Sequence, residues 1–291
     1  MVQPSPARIG RPSRSLVGYV AIVTGAGSAG DEIGNGRAIA LLLAEDGASV
    51  VCADRDGRLA ERTVEMIQQD QDHDQDQDAP PAKAIAVQGD VRRENDCQRV
   101  VAAAVTHFGR LDILINNVGV LGAGGTALTV DPDEWARGLE INVTSMMLMA
   151  KFAIAEMVKN EPRDGAMRGN IVNMGSVAGL QGGTPSLLYP TSKGAVVNMT
   201  RAMAAHHAPH GLRVNCVCPG MLYTPMLYMS DGGMDAATRE ARRKRSLLKT
   251  EGTSWDCAGA VRFLASNEAR WITGSVLTVD AGATSAQLVP W

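Results

Sequence analysis

The stretch YVAIVTGAGSAGDEIGNGRAIALLLAEDGASVVCAD, residues 19–54, decides the fold. Its first six residues are apolar and β-rich without polar/apolar alternation, as in a strand buried on both faces. Glycines then crowd residues 25–36, and RAIALLLAEDG carries apolar residues at helical spacing. ASVVCA (48–53) reads as a second strand, running into Asp54. Strand, glycine turn, helix and strand make one βαβ unit. Such a turn lets the backbone approach a pyrophosphate, whose charge the helix N-terminus stabilises.

Two registers compete in the turn. Gly25, Gly27 and Gly30 fit G-x-G-x-x-G, whereas Gly25, Gly34 and Gly36 fit a longer loop that enters the helix at Gly36. A helix starting near Gly30 would carry Gly34 and Gly36 in its first turns, each costing up to about 1 kcal/mol relative to Ala. The second register avoids that cost and is preferred, with Gly27 still able to touch a ligand. It also leaves 18 residues between Gly36 and Asp54, close to the ~20 that separate such a loop from a ribose-binding acid. Asp54 would accept hydrogen bonds from ribose hydroxyls and repel a 2′-phosphate, which points to NAD over NADP. Arg55, beside it, could instead pair with that phosphate.

Outward from this unit the alternation continues. AIAVQG (84–89), LDILIN (111–116), NIVNMG (170–175), LRVNCV (212–217) and SVLTVD (275–280) read as strands. Segments such as Gly36–Glu45 and Asn95–His107 read as helices. The pattern implies an α/β single-domain Rossmann fold: a doubly wound, mostly parallel seven-stranded sheet with helices on both faces. Residues 1–17, with Arg8, Arg11 and Arg14 but also Pro4, Pro6 and Pro12, read as a disordered tail rather than a targeting helix. Residues 68–78 (QQDQDHDQDQD) read as a solvated surface excursion, and 160–169 as a second surface insertion. REARRKR (239–245) reads as a solvated or inter-subunit helix face.

The formal charge of −3 gives no electrostatic reason to expect nucleic acid or an anionic membrane. No apolar run in the sequence approaches the roughly 20 residues of a membrane span, so a soluble, cytoplasmic protein is expected. Five cysteines suit reduced thiols better than a disulfide framework. Cys216 and Cys218 form C-x-C within a strand; alternation is read as sending them to opposite faces, so no metal is expected there.

YPTSK (189–193) opens a helical pattern that runs to about Arg201. Residues i and i+4 share a helix face, so Tyr189 and Lys193 address one site. A phenol's ordinary pKa near 10 is too high for a base at neutral pH, and a nearby ammonium favours the phenolate. Ser176 follows a strand at the carboxyl edge, where open α/β sheets bind ligands.

With these pieces in order, the chain resembles the short-chain dehydrogenase/reductase family over residues 16–283. The resemblance rests on the TG…GNG loop, Asp54, GDV (89–91), NNVG (116–119), Asn142, Ser176, YPTSK (189–193) and PG (219–220). It implies that Tyr189 is the acid/base, that Lys193 lowers its pKa and holds the nicotinamide ribose, that Ser176 hydrogen-bonds the reacting oxygen, and that Asn142 positions a relay water. Gly25, Gly27, Ile33, Gly34, Gly36, Asp54, Arg55, Asp90, Val91, Asn117, Val118, Gly119, Pro219, Gly220 and Thr224 are the expected cofactor contacts, with Asn116 either in that cleft or purely structural. Ser176, Gln181, Leu187, Leu188, Tyr189 and Met221 are expected around the substrate, under a lid near 221–250. The Met- and Tyr-rich lid suits a moderately apolar alcohol or ketone, cyclic or aromatic. A homotetramer or dimer is implied, with the 287–291 tail docking on a neighbour. The chain departs from the family in five extra glycine-loop residues, including Asp31 and Glu32, in Val118, and in the 160–169 insertion. The alternatives are an NADPH-dependent 3-oxoacyl carrier-protein reductase and an NAD(H) sensor without turnover; an enoyl reductase is disfavoured by the four-residue Tyr–Lys spacing.

Overall fold

The computed structural model describes residues 11–73, 83–163, 167–229 and 233–286. Seven parallel strands form one sheet: β1 (Val20–Thr24), β2 (Ser49–Asp54), β3 (Ala84–Gln88), β4 (Ile113–Asn116), β5 (Gly169–Met174), β6 (Leu212–Pro219) and β7 (Val276–Val279). Their order is β3-β2-β1-β4-β5-β6-β7. The order reverses between β1 and β4, so the carboxyl ends of those strands flank a crevice, the usual ligand position in an open α/β sheet.

Helices α1 (Asn35–Glu45), α2 (Gly57–His73) and α9 (Ser254–Ala265) cover one face, where Ala38, Ile39, Leu43, Ile67, Val261 and Leu264 pack on the sheet. Helices α3 (Glu94–Phe108), α5 (Ser145–Met157) and α6 (Leu188–His207) cover the other. With both faces covered, β1, β4 and β5 are buried along their whole length, which explains the missing alternation in their sequences. Between α3 and α5 lie α4 (Pro132–Leu139) and a π-helical turn, Glu140–Thr144. Helices α7 (Pro225–Tyr228) and α8 (Ala236–Lys244) each contribute residues to the wall of the cleft that Gly25 and Gly119 also line.

A buried amide relay ties β4 and β5 to α6. Asn116 Nδ2 donates to Asn173 Oδ1 at 2.9 Å, and Asn173 Nδ2 donates to Thr200 Oγ1 at 3.0 Å. These bonds link β4, β5 and α6, so Asn116 is a structural amide rather than a cleft residue.

Four expectations need correction. Residues 14–16 belong to the folded body: Leu16 is fully buried, its N–H donates to the Asp46 carbonyl, and Arg14 pairs with Asp46 at 3.1 Å; residues 1–10 lie outside the described chain. Helix α2 continues through His73 into the acidic stretch, so 68–73 are helical, while 74–82 lie outside the described residues. The continuous helix Pro132–Met157 does have the length and composition to cross a membrane. Its Met146, Met149, Ala150, Ala153 and Met157 are packed in the interior, as in a core helix. Finally, Cys216 and Cys218 share a face, because residues two apart in a strand point the same way. Their sulfurs stand 3.8 Å apart, buried beside Gly175.

Candidate active site

The glycine turn is shaped by what lies against it. Helix α1 begins at Asn35 with Gly34 as its N-cap, as the longer register requires. A Cβ on Gly36 would stand 1.9 Å from the Gly25 carbonyl oxygen, and one on Gly27 would meet Leu59 and Asp54 at 2.5 and 2.8 Å. The backbone is thus folded tightly upon itself at both positions. Asn117 fastens the turn to β4, donating from Nδ2 to the Thr24 and Gly25 carbonyls at 3.1 and 3.0 Å.

The extra residues of the loop wrap around Arg37, a contact the sequence gives no sign of. Its guanidinium is completely buried and donates to the carbonyls of Ser28, Gly30 and Glu32 at 2.8, 2.7 and 2.8 Å, and to Thr63 Oγ1 at 3.0 Å. Burial pulls its pKa down, against the nearby carboxylates of Asp31 and Asp54. From the same loop Glu32 reaches helix α7, where it accepts a hydrogen bond from the Tyr228 hydroxyl. Burial and that carboxylate push the Tyr228 phenol up to about 12. Tyr228 stacks on Tyr223 at 4.8 Å, and Arg239 lies 3.6 Å over Tyr223 while gripping Glu251.

Between the glycine loop, the sheet edge and helices α7 and α8 runs a cleft of about 680 Å³, within the usual range for small-molecule sites. Of the expected cofactor residues, Gly25, Gly27, Gly34, Gly36, Asp54, Asn117, Val118, Gly119, Pro219, Gly220 and Thr224 line it, together with Ser176, Tyr189, Lys193 and Met221. Asp54 accepts from the N–H groups of Gly27 and Asp56 at 2.9 and 3.0 Å, which fixes its carboxylate toward the cleft. Other expected residues are not brought together there. Ile33 packs toward the core and its carbonyl accepts from Ser254, while Arg55 is exposed. Asp90 is held by Arg92, which depresses its pKa, and Val91 is buried in the core. Gln181 is exposed, and Leu188 is fully buried against Gly122 and Gly138. Leu121, Thr184, Pro185, Ser186, Leu222, Met226, Leu227 and Arg242 also line the cleft.

The candidate catalytic residues come from three elements. Ser176 lies two residues past the end of β5 and caps a short 3-10 turn, its Oγ accepting from Ala178 N at 3.2 Å. Tyr189 stands in the first turn of α6. Burial pushes its pKa above the ordinary value, while hydrogen bonding from Ser176 and the charge of Arg242 draw it back. Lys193, one turn on, lies 5.8 Å from the Tyr189 ring and donates to the Met174 carbonyl at 2.8 Å. Burial brings Lys193 down to about 8. Asn142, in the π-helical turn, exchanges hydrogen bonds with both backbone groups of Val120 and donates to Ser192 Oγ at 3.0 Å. Its amide therefore pins the strand-end loop to the α6 helix. Single π turns of this kind occur often at functional sites.

Comparison with known proteins agrees with this construction. A family model described as "Enoyl-(Acyl carrier protein) reductase" matches residues 29–284. Glucose 1-dehydrogenase 2 of Bacillus subtilis is 32% identical over 277 residues, covering 93% of this chain and 96% of that protein. The 2-(S)-hydroxypropyl-CoM dehydrogenase 3 of Xanthobacter autotrophicus is 35% identical over 275 residues, covering 94% and 99%. A crystal structure described as a putative short-chain dehydrogenase/reductase from Burkholderia xenovorans superposes with a TM-score of 0.81 at 35% identity, covering 94% of this chain and 98% of that one. Sheet order, glycine turn and relatives all converge, and the chain belongs to the short-chain dehydrogenase/reductase family of oxidoreductases.

Proposed function

We propose that the protein is an NAD-dependent oxidoreductase that interconverts a secondary alcohol and its ketone, with Tyr189 exchanging the hydroxyl proton. The observation that carries this reading is the convergence of Ser176, Tyr189 and Lys193 on one wall of a cleft whose other end holds Asp54. The residues fit a dinucleotide: glycines 25, 27, 34 and 36 line the cleft at the start of helix α1, where a pyrophosphate can be met by backbone N–H groups, and the Asp54 carboxylate stands fixed for ribose hydroxyls. When bound, NAD supplies the hydride acceptor or donor.

The chain's own residues do the rest. Ser176 Oγ holds the reacting oxygen, and Tyr189 gives it a proton in reduction or removes one in oxidation. Lys193 keeps positive charge behind the phenol and offers its ammonium to a ribose. Asn142 is assigned as the residue that orders the relay water, by fixing Val120 and Ser192 around it. The lid residues Met221, Leu222, Met226 and Leu227 give the substrate end an apolar lining, which suits a substrate with an apolar body.

Specificity for NAD follows from Asp54. Among the described residues no basic side chain lines that end of the cleft, and Arg55 is exposed outside it. A 2′-phosphate would meet a carboxylate, a like-charge contact worth several kcal/mol. The expected kcat/KM ratio of NAD to NADP is about 100, and Asp54→Ser should narrow it at least about tenfold. A purified enzyme that prefers NADP, as a 3-oxoacyl carrier-protein reductase using NADPH would, sinks this assignment.

We also propose a cytoplasmic homotetramer or dimer. All five cysteines are free and buried, which suits a reducing compartment, while Met147, Trp255 and Phe263 are exposed on α5 and α9 and suit burial in a subunit seam. Light scattering after size exclusion should give a mass of two or four chains; a monomer at micromolar concentration rules the seam out.

A further inference from the structure

We propose that the substrate carries an anionic group, a carboxylate, sulfonate or phosphate, held by Arg242 of the lid. This deepens the alcohol/ketone reading above and rests on it. The sequence places Arg242 in a basic run, REARRKR, of the kind that usually forms a solvated face. Three of its cations behave in different ways. Arg239 is bound to Glu251 and stacked on Tyr223, and Arg243 is bound to Glu240 at 2.7 Å. Arg242 turns inward and lines the cleft.

There it has little to hold. Among the described residues it forms no ion pair, and its one hydrogen bond is a long one, 3.4 Å to the Leu222 carbonyl. The one carboxylate whose charge is seen to act on it, Glu251, is already gripped by Arg239. Arg245 adds further positive charge nearby, and burial works against the charged form of Arg242. A guanidinium has five N–H donors in a fork that matches a carboxylate or an anion of the same oxygen geometry. Placing such a group, half-buried and unneutralised, among Leu121, Met221, Leu222, Met226 and Leu227 costs desolvation, which a wholly apolar substrate would increase. An anion on the substrate would reverse that cost.

The location is also specific. Arg242 is close enough to Tyr189 for each charge to act on the other. Asp54 and Lys193 are the other charged residues in the lining among those described. Asp54 belongs to the opposite end of the cleft, and Lys193 is buried behind the phenol and bound to Met174. Anion and alcohol would therefore be read from opposite sides, the charged group by the lid and the reacting oxygen by Ser176 and Tyr189. An apolar body between them would contact the methionines and leucines of the lid. The substrate class is thus a hydroxy acid, or a sulfonate or phosphate counterpart, and its oxo form.

The test compares each acid with its own methyl ester, so that only the charge changes. Wild-type enzyme is assayed with NAD on 2-, 3- and 4-hydroxypentanoate, their methyl esters and the matching hydroxyalkanesulfonates. At least one acid or sulfonate should exceed its neutral counterpart by about 30-fold in kcat/KM, the scale of a charge-assisted bidentate contact. Most of that difference should lie in KM. Arg242→Gln should erase the preference, and Arg242→Lys should restore part of it. Equal use of acids and esters by the wild type, or a preference that survives in Arg242→Gln, overturns the anionic subsite while leaving the oxidoreductase reading intact. No turnover of any compound by an enzyme that binds NADH overturns that reading, and this inference with it. An Arg242→Gln variant whose Kd for NADH rises as much as its KM for the acid would show that the guanidinium serves the cofactor's phosphates, and would also overturn the proposal.

Discussion

Replacing Tyr189 with Phe should reduce kcat at least about 1,000-fold while leaving the Kd for NADH within a factor of about three, because only a proton-transferring hydroxyl is removed. The ring of Phe preserves the packing of the first turn of α6. What disappears is the group that Ser176 and Arg242 act upon. Near-normal turnover in this variant would exclude Tyr189 as the acid/base, and unaltered NADH binding beside a wild type with no activity would favour a sensor. The same phenol dictates the pH profile. Burial raises its pKa above the ordinary 10 in the protein alone, so at neutral pH it carries its proton and is ready to donate in ketone reduction. Oxidation needs the phenolate and should accelerate as pH rises, whereas reduction should slow at high pH. Ser176→Ala removes a donor that favours the phenolate, so the rising limb of oxidation should move to higher pH. A limb that stays in place in that variant would assign it to another group.

The parts of this site that were legible in the sequence are those whose physics is local. Strands buried on both faces announce themselves as unbroken apolar runs. Gly34 and Gly36 exclude the shorter register through helix cost alone, and the four-residue interval from Tyr189 to Lys193 places them on one helix face. The illegible parts depend on contacts between segments far apart in the chain. Leu188 stands next to Tyr189, yet the helix turns it into Gly122 and Gly138, out of the cleft lining. Gln181 lies near Ser176 in sequence but is solvent-exposed. Arg242 sits in a run of charges, and nothing local separates the one that turns inward from its neighbours. The C-x-C pair shows a different kind of failure: the period of a strand, applied correctly, already puts Cys216 and Cys218 on one face.

Arg37 is the clearest case of a structural role hidden from the sequence, and its replacement by Met should cost about 3 kcal/mol of stability. The helical pattern GRAIALLLAEDG offers no reason to treat this arginine as more than a polar residue in a first turn. In the fold it is fully buried, and its fork is divided among the Ser28, Gly30 and Glu32 carbonyls and Thr63. Those carbonyls belong to the glycine loop, which is five residues longer than the family's usual turn. Without the guanidinium the buried Ser28 carbonyl would lose its donor and the Gly30 and Glu32 carbonyls would no longer be tied to it, so the loop must open to water or rearrange. Met fills a similar volume without supplying hydrogen bonds. Lys supplies charge, but its single ammonium cannot satisfy acceptors spread along the loop, so Arg37→Lys should recover little. The Tm of the Met variant should fall by about 8 °C, as expected for a chain of this size. Because Glu32 of the same loop contacts Tyr228, loosening the loop should also release the lid. The Kd for NADH should therefore rise at least about tenfold, measured by fluorescence titration. A variant that loses stability yet binds NADH like wild type would show that helix α1 and Asn117 alone shape the phosphate turn. Loss of affinity together with stability would instead identify the buried guanidinium as the element that makes so long a loop usable.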